Sequence, residues 1–313
     1  MPGLFRILTA AISVGVGSWI GLHSGRVPPA ARQHVAATVA SAVEEAAPPA
    51  LDAADVELGP WPRLNPEANM TKAWRLAEGP HRKVGDRRRL VTLTFDDGPF
   101  PETTPRVLEL LARYEIHATF FVIGRYLDGS GERAQASRAA LHQIADAGHL
   151  IGNHTHDHAL LTSVTHTQVL EQIDRGAASI ERTLGRKPIL FRPPYGQLDD
   201  FGAEAVRARG LDVLLWNVEA QDMSRDDATT MFRELVHQIR RAEGGVVLLH
   251  DIRWTSVRIL EKLLVFLDAK RFDPARPDRE GYVIVDMPTY LREVASSPPQ
   301  PGARPSKRKA GES

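Results

Sequence analysis

Short apolar segments alternate with segments of helical periodicity between residues 90 and 295, and this alternation constrains the fold most strongly. Because these segments are predominantly apolar, the strands they predict are expected to be buried on both faces, as in a parallel sheet. About seven repeats predict an α/β fold of the closed or nearly closed barrel type, with an open doubly wound sheet as the alternative. The predicted strands are residues 90–95, 118–123, 150–151, 189–191, 211–218, 246–249 and 282–285. The predicted helices are residues 103–114, 132–147, 167–184, 200–209, 227–241 and 256–269.

The composition excludes several classes of protein. The chain of 313 residues carries 39 basic and 39 acidic residues, so no net charge favours nucleic acid or another polyanion as a partner. It contains no cysteine, which excludes disulfides, thiolate zinc sites and cysteine nucleophiles. The lack of cysteine is compatible with export from the cytoplasm.

The two ends of the sequence differ in character from its middle. Residues 1–26 are predicted to be an export signal or a membrane anchor, because the apolar segment 7–22 is short for a bilayer span and long for a signal core. Residues 27–87 form an Ala/Pro-rich linker and lead-in, and residues 296–313 a disordered basic tail. Residues 88–295 remain as a single folded domain. This organisation predicts an extracytoplasmic protein, secreted or in the cell envelope.

Unusual polar residues follow five of the predicted strands. In a barrel of parallel strands the chemistry lies at the carboxyl ends, so these five loops are expected to meet on one rim. The first loop holds the adjacent carboxylates Asp96 and Asp97, whose mutual repulsion requires a nearby cation. The other loops contain segment 153–158, segment 192–196, Glu219 with Asp222, and His250-Asp251.

Two histidines in segment 153–158 have the spacing of metal ligands. His154 and His158 are separated by one helical turn in sequence, which would place both imidazoles on one face of such a turn. With one carboxylate from the first loop they make two histidines and one aspartate, the number of protein ligands in a catalytic zinc site that leaves a position for water. Considered alone, the histidine pair could equally have a surface or capping role.

Five motifs occur in order along the chain: residues 94–99, residues 154–158, residues 192–196, Trp216 with Asp222, and residues 248–251. Together they resemble the motifs of the polysaccharide deacetylases, the NodB homology domain of carbohydrate esterase family 4. The resemblance covers about residues 88–292. It implies a distorted (β/α)7 barrel, a divalent metal that is usually zinc, and hydrolytic removal of N-acetyl groups from amino sugars.

The resemblance also implies roles for the metal ligands and the base. Asp97, His154 and His158 would hold the metal, which would activate a water and polarise the substrate carbonyl. Asp96 would be the general base that accepts the proton of that water. Arg192 would pair with Asp96 and supply the cation that the adjacent carboxylates require.

Further roles implied by the resemblance concern the leaving group and the pocket. His250 would protonate the leaving amine, and Asp222 would hold that imidazole in its charged form. The backbone amide of Tyr195 would donate a hydrogen bond to the tetrahedral oxyanion. Leu248 and Trp216 would wall the pocket for the acetyl methyl group.

The sequence departs from the family pattern at two positions of the fourth motif. Glu219 stands where an aspartate is common, and Met223 stands where an aromatic residue commonly follows the aspartate. Asp222 is retained, so it is still expected to hold the imidazole of His250. The side of the pocket formed by the fourth motif is expected to differ in shape.

The sequence therefore predicts a metal-dependent hydrolase that removes N-acetyl groups from a peptidoglycan- or chitin-like polysaccharide. An O-acetyl polysaccharide esterase with the same machinery is the alternative among enzymes. A non-catalytic carbohydrate-binding barrel is the alternative from another class. The expected partner is the acetylated polysaccharide, with no nucleic acid and with membrane anchoring through residues 7–22 as an option.

Overall fold

A computed structural model of the chain describes residues 86–224 and 226–295. The predicted signal or anchor, nearly all of the predicted linker and the predicted basic tail lie outside these ranges. Within them, no helix has both the length and the apolar character that a bilayer span requires. The described residues all belong to one compact unit.

The described ranges contain eight strands and seven α-helices. The strands are β1 (Arg88–Asp96), β2 (Thr119–Val122), β3 (Leu150–Asn153), β4 (Leu190–Phe191), β5 (Asp212–Val213), β6 (Val218–Glu219), β7 (Gly245–His250) and β8 (Gly281–Ile284). The helices are α1 (Thr104–Arg113), α2 (Glu132–Asp146), α3 (His166–Leu184), α4 (Asp200–Ala208), α5 (Ala228–Ala242), α6 (Trp254–Ala269) and α7 (Met287–Ala295). Helix α7 was not predicted from the sequence.

The strands form one parallel sheet, which confirms the predicted fold class. Its path runs β5-β4-β3-β2-β1-β7-β6, and β8 pairs with the first half of β1. Every strand pairing in the described residues is parallel. The helices between successive strands cover the sheet, as parallel pairing requires.

The prediction of one strand over residues 211–218 is wrong, because this segment forms β5 and β6 at the two ends of the sheet path. Between the two strands, the side chain of Arg192 donates from Nε to the carbonyl oxygen of Leu214 (2.9 Å) and from Nη2 to that of Leu215 (3.3 Å). A guanidinium therefore binds carbonyls that a neighbouring strand would otherwise bind. The sequence of residues 211–218 does not indicate where a side chain takes the place of a neighbouring strand and interrupts the strand pairing.

Strand β1 separates two apolar clusters because its side chains alternate between the faces of the sheet. Leu93 and Phe95 pack in the larger cluster, which includes residues of helices α1, α2, α5 and α6. Leu90 lies on the opposite face, which we call the inner face, in a cluster with Phe121 of β2 and Tyr290 of α7. Further along β1, the inner face carries polar residues instead, and the candidate site begins there.

An ion pair between distant strands shows that the sheet is strongly curled. Arg192 directly follows β4, and Asp96 ends β1, three strands away along the path. In a flat sheet these strands would be ~14 Å apart, beyond the reach of an arginine side chain. The Nη1 atom of Arg192 nevertheless lies 2.8 Å from Oδ1 of Asp96. The curl therefore brings the carboxyl ends of distant strands into contact on the inner face.

Candidate active site

The candidate base and the candidate acid lie opposite each other on adjacent strands. Asp96 ends β1 and is paired in register with His250 at the end of β7. Two residues earlier on the same face, Thr94 is paired with Leu248, which is buried. The carboxyl ends of these strands thus present a carboxylate, an imidazole and an apolar wall side by side.

The three predicted metal ligands converge. The Oδ1 atom of Asp97 lies 3.4 Å from Nε2 of His154 and 3.2 Å from Nε2 of His158. All three ligand atoms lie within 4.8 Å of one another. In a tetrahedral site with bonds of ~2.1 Å, neighbouring ligand atoms are ~3.4 Å apart, so the spacing fits one zinc-sized ion.

The hydrogen bonds around these three side chains leave their ligand atoms free to bind a cation. Asp97 Oδ1 is buried and has no hydrogen-bond partner among the described residues. His154 donates from Nδ1 to the carbonyl oxygen of Arg192 (2.7 Å), which fixes the tautomer that keeps a lone pair on Nε2. Burial lowers the pKa of His158 and so favours its neutral, ligating form.

The charge state of Asp97 also fits a cation site. Burial alone would raise the pKa of Asp97, but the neighbouring imidazoles of His154, His250 and His158 lower it below the usual value. The carboxylate therefore stays ionised. One carboxylate and two imidazoles make a donor set that suits a divalent transition metal.

The predicted helical turn over residues 154–158 is wrong, although the two histidines do meet. The segment is a loop in which Thr155 (φ 68°) and His158 (φ 60°) have left-handed backbone conformations. The side chain of Asn153 accepts a hydrogen bond from the Thr155 amide (2.9 Å), and Thr155 Oγ1 accepts one from the His158 amide (3.0 Å). These local bonds hold conformations that are unfavourable for residues other than glycine.

Arg192 is fully buried, and its hydrogen bonds explain why a charge is tolerated there. Its Nη1 atom donates to Oδ1 of Asp96 (2.8 Å) and to Oγ1 of Thr94 (2.8 Å). Its Cζ atom lies 4.1 Å from the ring centre of Phe121, a cation–π contact. Burial lowers the pKa of Arg192 and the charge of Asp96 opposes this, so the pair remains ionic. The cation required by the adjacent carboxylates is therefore present.

His250 is held by a fully buried carboxylate. Asp222 accepts hydrogen bonds from Nδ1 of His250 (2.8 Å) and from its backbone amide (2.8 Å). Burial alone would lower the pKa of His250, but the hydrogen bond and charge of Asp222, with the charges of Asp96 and Asp97, raise it to about 9. The Nε2 atom lies 3.9 Å from Oδ2 of Asp97. A protonated imidazole therefore points its second N–H towards the metal-ligand cluster.

The remaining predicted residues surround this cluster. Tyr195 follows two prolines, has a left-handed conformation (φ 60°), and its ring centre lies 4.9 Å from that of His158. The ring centre of Trp216 lies 5.4 Å from Cζ of Arg192. The roles of Leu248 and Trp216 as pocket walls, and of the Tyr195 amide as an oxyanion donor, stay predictions.

Asp251 is a buried residue of the site to which the sequence reasoning gave no role. Its carboxylate forms a hydrogen bond with Thr104 Oγ1, and its carbonyl oxygen accepts one from Thr103 Oγ1. A Cβ atom on Gly98 would lie 2.3 Å from its Oδ1 atom, so only glycine fits beside it. Burial raises the pKa of Asp251 to about 7. The end of β7 is thereby joined to the loop after Asp97 and to the start of α1.

His156 is likewise buried but belongs to a separate polar network. Its Nδ1 lies 2.8 Å from Oδ1 of Asp157, and its Nε2 lies 2.9 Å from Oδ2 of Asp128. Its carbonyl oxygen accepts a hydrogen bond from the Arg125 amide (2.9 Å). No role was predicted for this histidine, and its hydrogen bonds join the ligand loop to residues 125–128.

Comparisons with known proteins agree with this fold and site. A profile of the family described as polysaccharide deacetylase matches residues 83–214. The chain is 34% identical over 181 residues to PdaC, a peptidoglycan-N-acetylmuramic acid deacetylase of Bacillus subtilis, covering 58% of this chain and 36% of PdaC. It is 33% identical over 215 residues to a peptidoglycan-N-acetylglucosamine deacetylase of Bacillus cereus, covering 67% of this chain and 92% of that protein. A bifunctional xylanase/xylan deacetylase of Cellvibrio japonicus is 31% identical over 189 residues, covering 60% of this chain and 27% of that protein.

Solved structures share the architecture. The structure of PdaC from Bacillus subtilis has a TM-score of 0.53 at 31% identity, covering 66% of this chain and 91% of that chain. A structure described as a CE4 family pseudoenzyme from Bacillus anthracis has a TM-score of 0.55 at 22% identity, covering 66% of each chain. The latter likeness concerns the fold alone.

Fold and site together define a distorted (β/α)7 barrel whose strand ends carry an aspartate–histidine–histidine cluster. This chain belongs to the polysaccharide deacetylase family.

Proposed function

We propose that this chain is a metal-dependent hydrolase that removes N-acetyl groups from amino sugars of a peptidoglycan- or chitin-like polysaccharide. One observation carries the proposal: the three candidate metal ligands lie beside both an arginine-paired carboxylate and a carboxylate-held imidazole. Relatives named as peptidoglycan deacetylases support the substrate class and an extracytoplasmic location. The proposal includes residues 88–295 as the catalytic domain.

Asp97, His154 and His158 would hold the metal, and zinc is the proposed ion. The spacing of their ligand atoms and the tautomer fixed at His154 support this assignment. A divalent ion bound there supplies Lewis acidity, which lowers the pKa of a water and polarises the acetamide carbonyl. The remaining chemistry belongs to side chains of the protein.

Asp96 accepts the proton of the attacking water in this proposal. Its Oδ1 atom is occupied by Arg192, so Oδ2, which lies 3.7 Å from Nε2 of His154, is the atom directed to the ligand cluster. The ion pair with Arg192 fixes the position of Asp96, as a general base requires. The Tyr195 amide donates a hydrogen bond to the oxyanion of the tetrahedral adduct.

His250 donates its Nε2 proton to the amine as the carbon–nitrogen bond breaks. Asp222 holds Nδ1, and a pKa of about 9 keeps the imidazole protonated at neutral pH. The products are acetate and the free amine on the sugar. Leu248 and Trp216 enclose the acetyl methyl group in this arrangement.

The O-acetyl esterase remains the second candidate because one relative is named as a xylan deacetylase. Hydrolysis of an ester needs less help from an acid, since an alcohol leaves more readily than an amine. The strongly raised pKa of His250 therefore favours the amide as the substrate. A non-catalytic binding barrel would require neither the Asp96–Arg192 pair nor the His250–Asp222 pair.

Acetate release separates the three candidates. The full chain is incubated with chitooligosaccharide, peptidoglycan and acetylated xylan, with and without a chelator, and acetate is quantified. We expect acetate from the N-acetylated polymers, loss of activity with the chelator and recovery with Zn²⁺. Release from xylan alone would establish the esterase. Binding of a glycan by the metal-loaded chain without any acetate would establish the binding barrel.

A further inference from the structure

The exposed hydrophobic side chains concentrate around the candidate active site. Among the described residues, four large hydrophobic side chains are exposed: Tyr195, Met223, Trp254 and Val265. The first three lie in the loops or the first helical residue after β4, β6 and β7, and only Val265 lies elsewhere, on α6. Trp254 is 55% exposed, and its indole makes no ring contact or hydrogen bond within the described part of the chain. Large apolar side chains exposed together beside a site are typical of a surface that binds a ligand.

The first turn of α6 shows how Trp254 is positioned. The next two residues along the helix bind the loop after β6: Thr255 Oγ1 donates to Oδ1 of Asp226 (3.0 Å), and Ser256 Oγ donates to Oδ2 of Asp222. Asp222 is the carboxylate that holds His250. Trp254 therefore lies on the same helical turn as Ser256, which is bound to the carboxylate that holds His250.

The neighbouring loop carries the second exposed apolar side chain. Arg253 donates from Nη1 to the carbonyl oxygen of Met223 (2.9 Å) and from Nη2 to Oδ1 of Asp226. These bonds join the two loops and place Met223 in the loop that Trp254 adjoins. Trp254 is four residues from His250, within ~14 Å even along an extended chain. We call Trp254 and Met223 the rim platform.

We propose that the rim platform binds a second sugar of the glycan, next to the sugar whose acetamide group reacts. A sugar ring presents C–H groups on its face and hydroxyl groups at its edge. The face of the indole can pack against the C–H groups. The carboxylate of Asp226, whose side chain is 77% exposed, can accept hydrogen bonds from the hydroxyl groups. The platform lies on the His250 side of the site, where the leaving amine stays attached to the polymer. This inference rests on the proposed function, because it assigns a neighbour to the reacting sugar.

Dependence of the rate on chain length tests the platform. The full, metal-loaded chain and its W254A and W254F variants are assayed for acetate release from N-acetylglucosamine oligomers, from the dimer to the pentamer. We expect kcat/KM of the unaltered protein to rise with oligomer length, and W254A to lower the pentamer-to-dimer ratio about tenfold, ~1.4 kcal/mol, mainly through KM. W254F keeps an aromatic face and should restore most of that ratio.

V265A is the matched control, because Val265 is exposed on the same helix but ~16 Å further along it. It should leave the ratio unchanged. An unaltered ratio in W254A, or equal losses in W254A and V265A, would overturn the platform. Self-association of the protein that W254A abolishes would instead assign the surface to a second copy and would also overturn it.

Binding measurements separate a failure of this inference from a failure of the proposed function. If no oligomer releases acetate, calorimetry with the pentamer still reports on the platform. Weaker pentamer binding by W254A than by V265A would then support the platform while the hydrolase proposal fails. Equal binding by the two variants would overturn the platform whatever the activity.

Discussion

Two carboxylates that are neighbours in sequence have different partners, and this difference assigns their chemistry. Asp96 is bound through Oδ1 to a fully buried guanidinium, so one of its oxygen atoms is fixed and the other is directed to the site. Asp97 Oδ1 lies beside two imidazoles and has no hydrogen-bond donor among the described residues. A general base needs a fixed carboxylate with one oxygen atom directed to the site, as in Asp96. A metal ligand needs an oxygen atom that no donor occupies, as in Asp97.

The carboxylate of Asp222 should set the pH range of activity. The acid is the protonated form of His250, so activity falls as the pH rises through its pKa of about 9. D222N removes the charge that raises this pKa, and the alkaline limb of the kcat/KM profile should move down by about 1–2 pH units. The pH dependence of acetate release measures the shift. D268N, an exposed aspartate on α6, is the control. An unmoved alkaline limb in D222N would contradict the role of Asp222.

At the scale of secondary-structure elements, the loops that carry the site are fixed by contacts from neighbouring elements. Asp251 at the end of β7 is bonded to two threonines at the start of α1 and leaves space only for glycine at position 98. Helix α3 approaches the ligand loop at Gly176, where a Cβ atom would lie 2.3 Å from Asn153 Oδ1 and 2.8 Å from the Thr155 carbonyl. Both contacts restrict the positions of metal ligands.

Asp251 should make the stability of the metal-free protein depend on pH. Its pKa is raised from 3.8 to about 7 in the folded state, so the folded protein binds this proton more tightly than the unfolded chain. Unfolding releases the proton between about pH 4 and about pH 7, so this group lowers the free energy of unfolding by up to ~4 kcal/mol as the pH rises. In urea unfolding across that range, the free energy of unfolding of D251N should fall less, or rise more steeply, with pH than that of the unaltered protein. Identical slopes for the two proteins would exclude a buried neutral carboxyl.

The close approach at Gly176 should make an alanine there costly. In an open helix, alanine would be the better residue by up to ~1 kcal/mol. In G176A the added methyl group meets backbone atoms of Thr155, and we expect a net loss of ~1–3 kcal/mol in the free energy of unfolding, with weaker Zn²⁺ binding. G131A is the control, since nothing lies within 4 Å of a Cβ atom there; as the N-cap of α2 it should cost at most ~1 kcal/mol and leave Zn²⁺ binding unchanged. Equal stability and metal affinity of the two variants would show that α3 does not constrain the ligand loop.

At the scale of the whole molecule, the curl of one parallel sheet assembles the site. The predominantly apolar strands predicted the parallel sheet, because strands buried on both faces are apolar at most positions. The order of the motifs at strand ends predicted which side chains would meet. Arg192 reaches Asp96 because the curl brings β4 towards β1.

Other features could not be predicted because they depend on contacts between distant segments. The break between β5 and β6 results from a side chain that binds carbonyl groups in place of a strand. The spacing of His154 and His158 indicated a helical turn, but local side-chain bonds stabilise a left-handed loop instead. The burial of Asp251 follows from the packing of α1 against the end of β7, and nothing in its local sequence indicates it.

The division of labour between the adjacent carboxylates is the central claim, and one matched pair of variants tests it. D96N and D97N make the same isosteric change at consecutive positions. Metal content by elemental analysis and acetate release are measured on both variants, with H154A as a second ligand variant. We predict that D96N retains stoichiometric metal and loses turnover by about 10²-fold or more, whereas D97N and H154A lose the metal. Equal metal content in D96N and D97N, or loss of metal from D96N alone, would contradict the assignment.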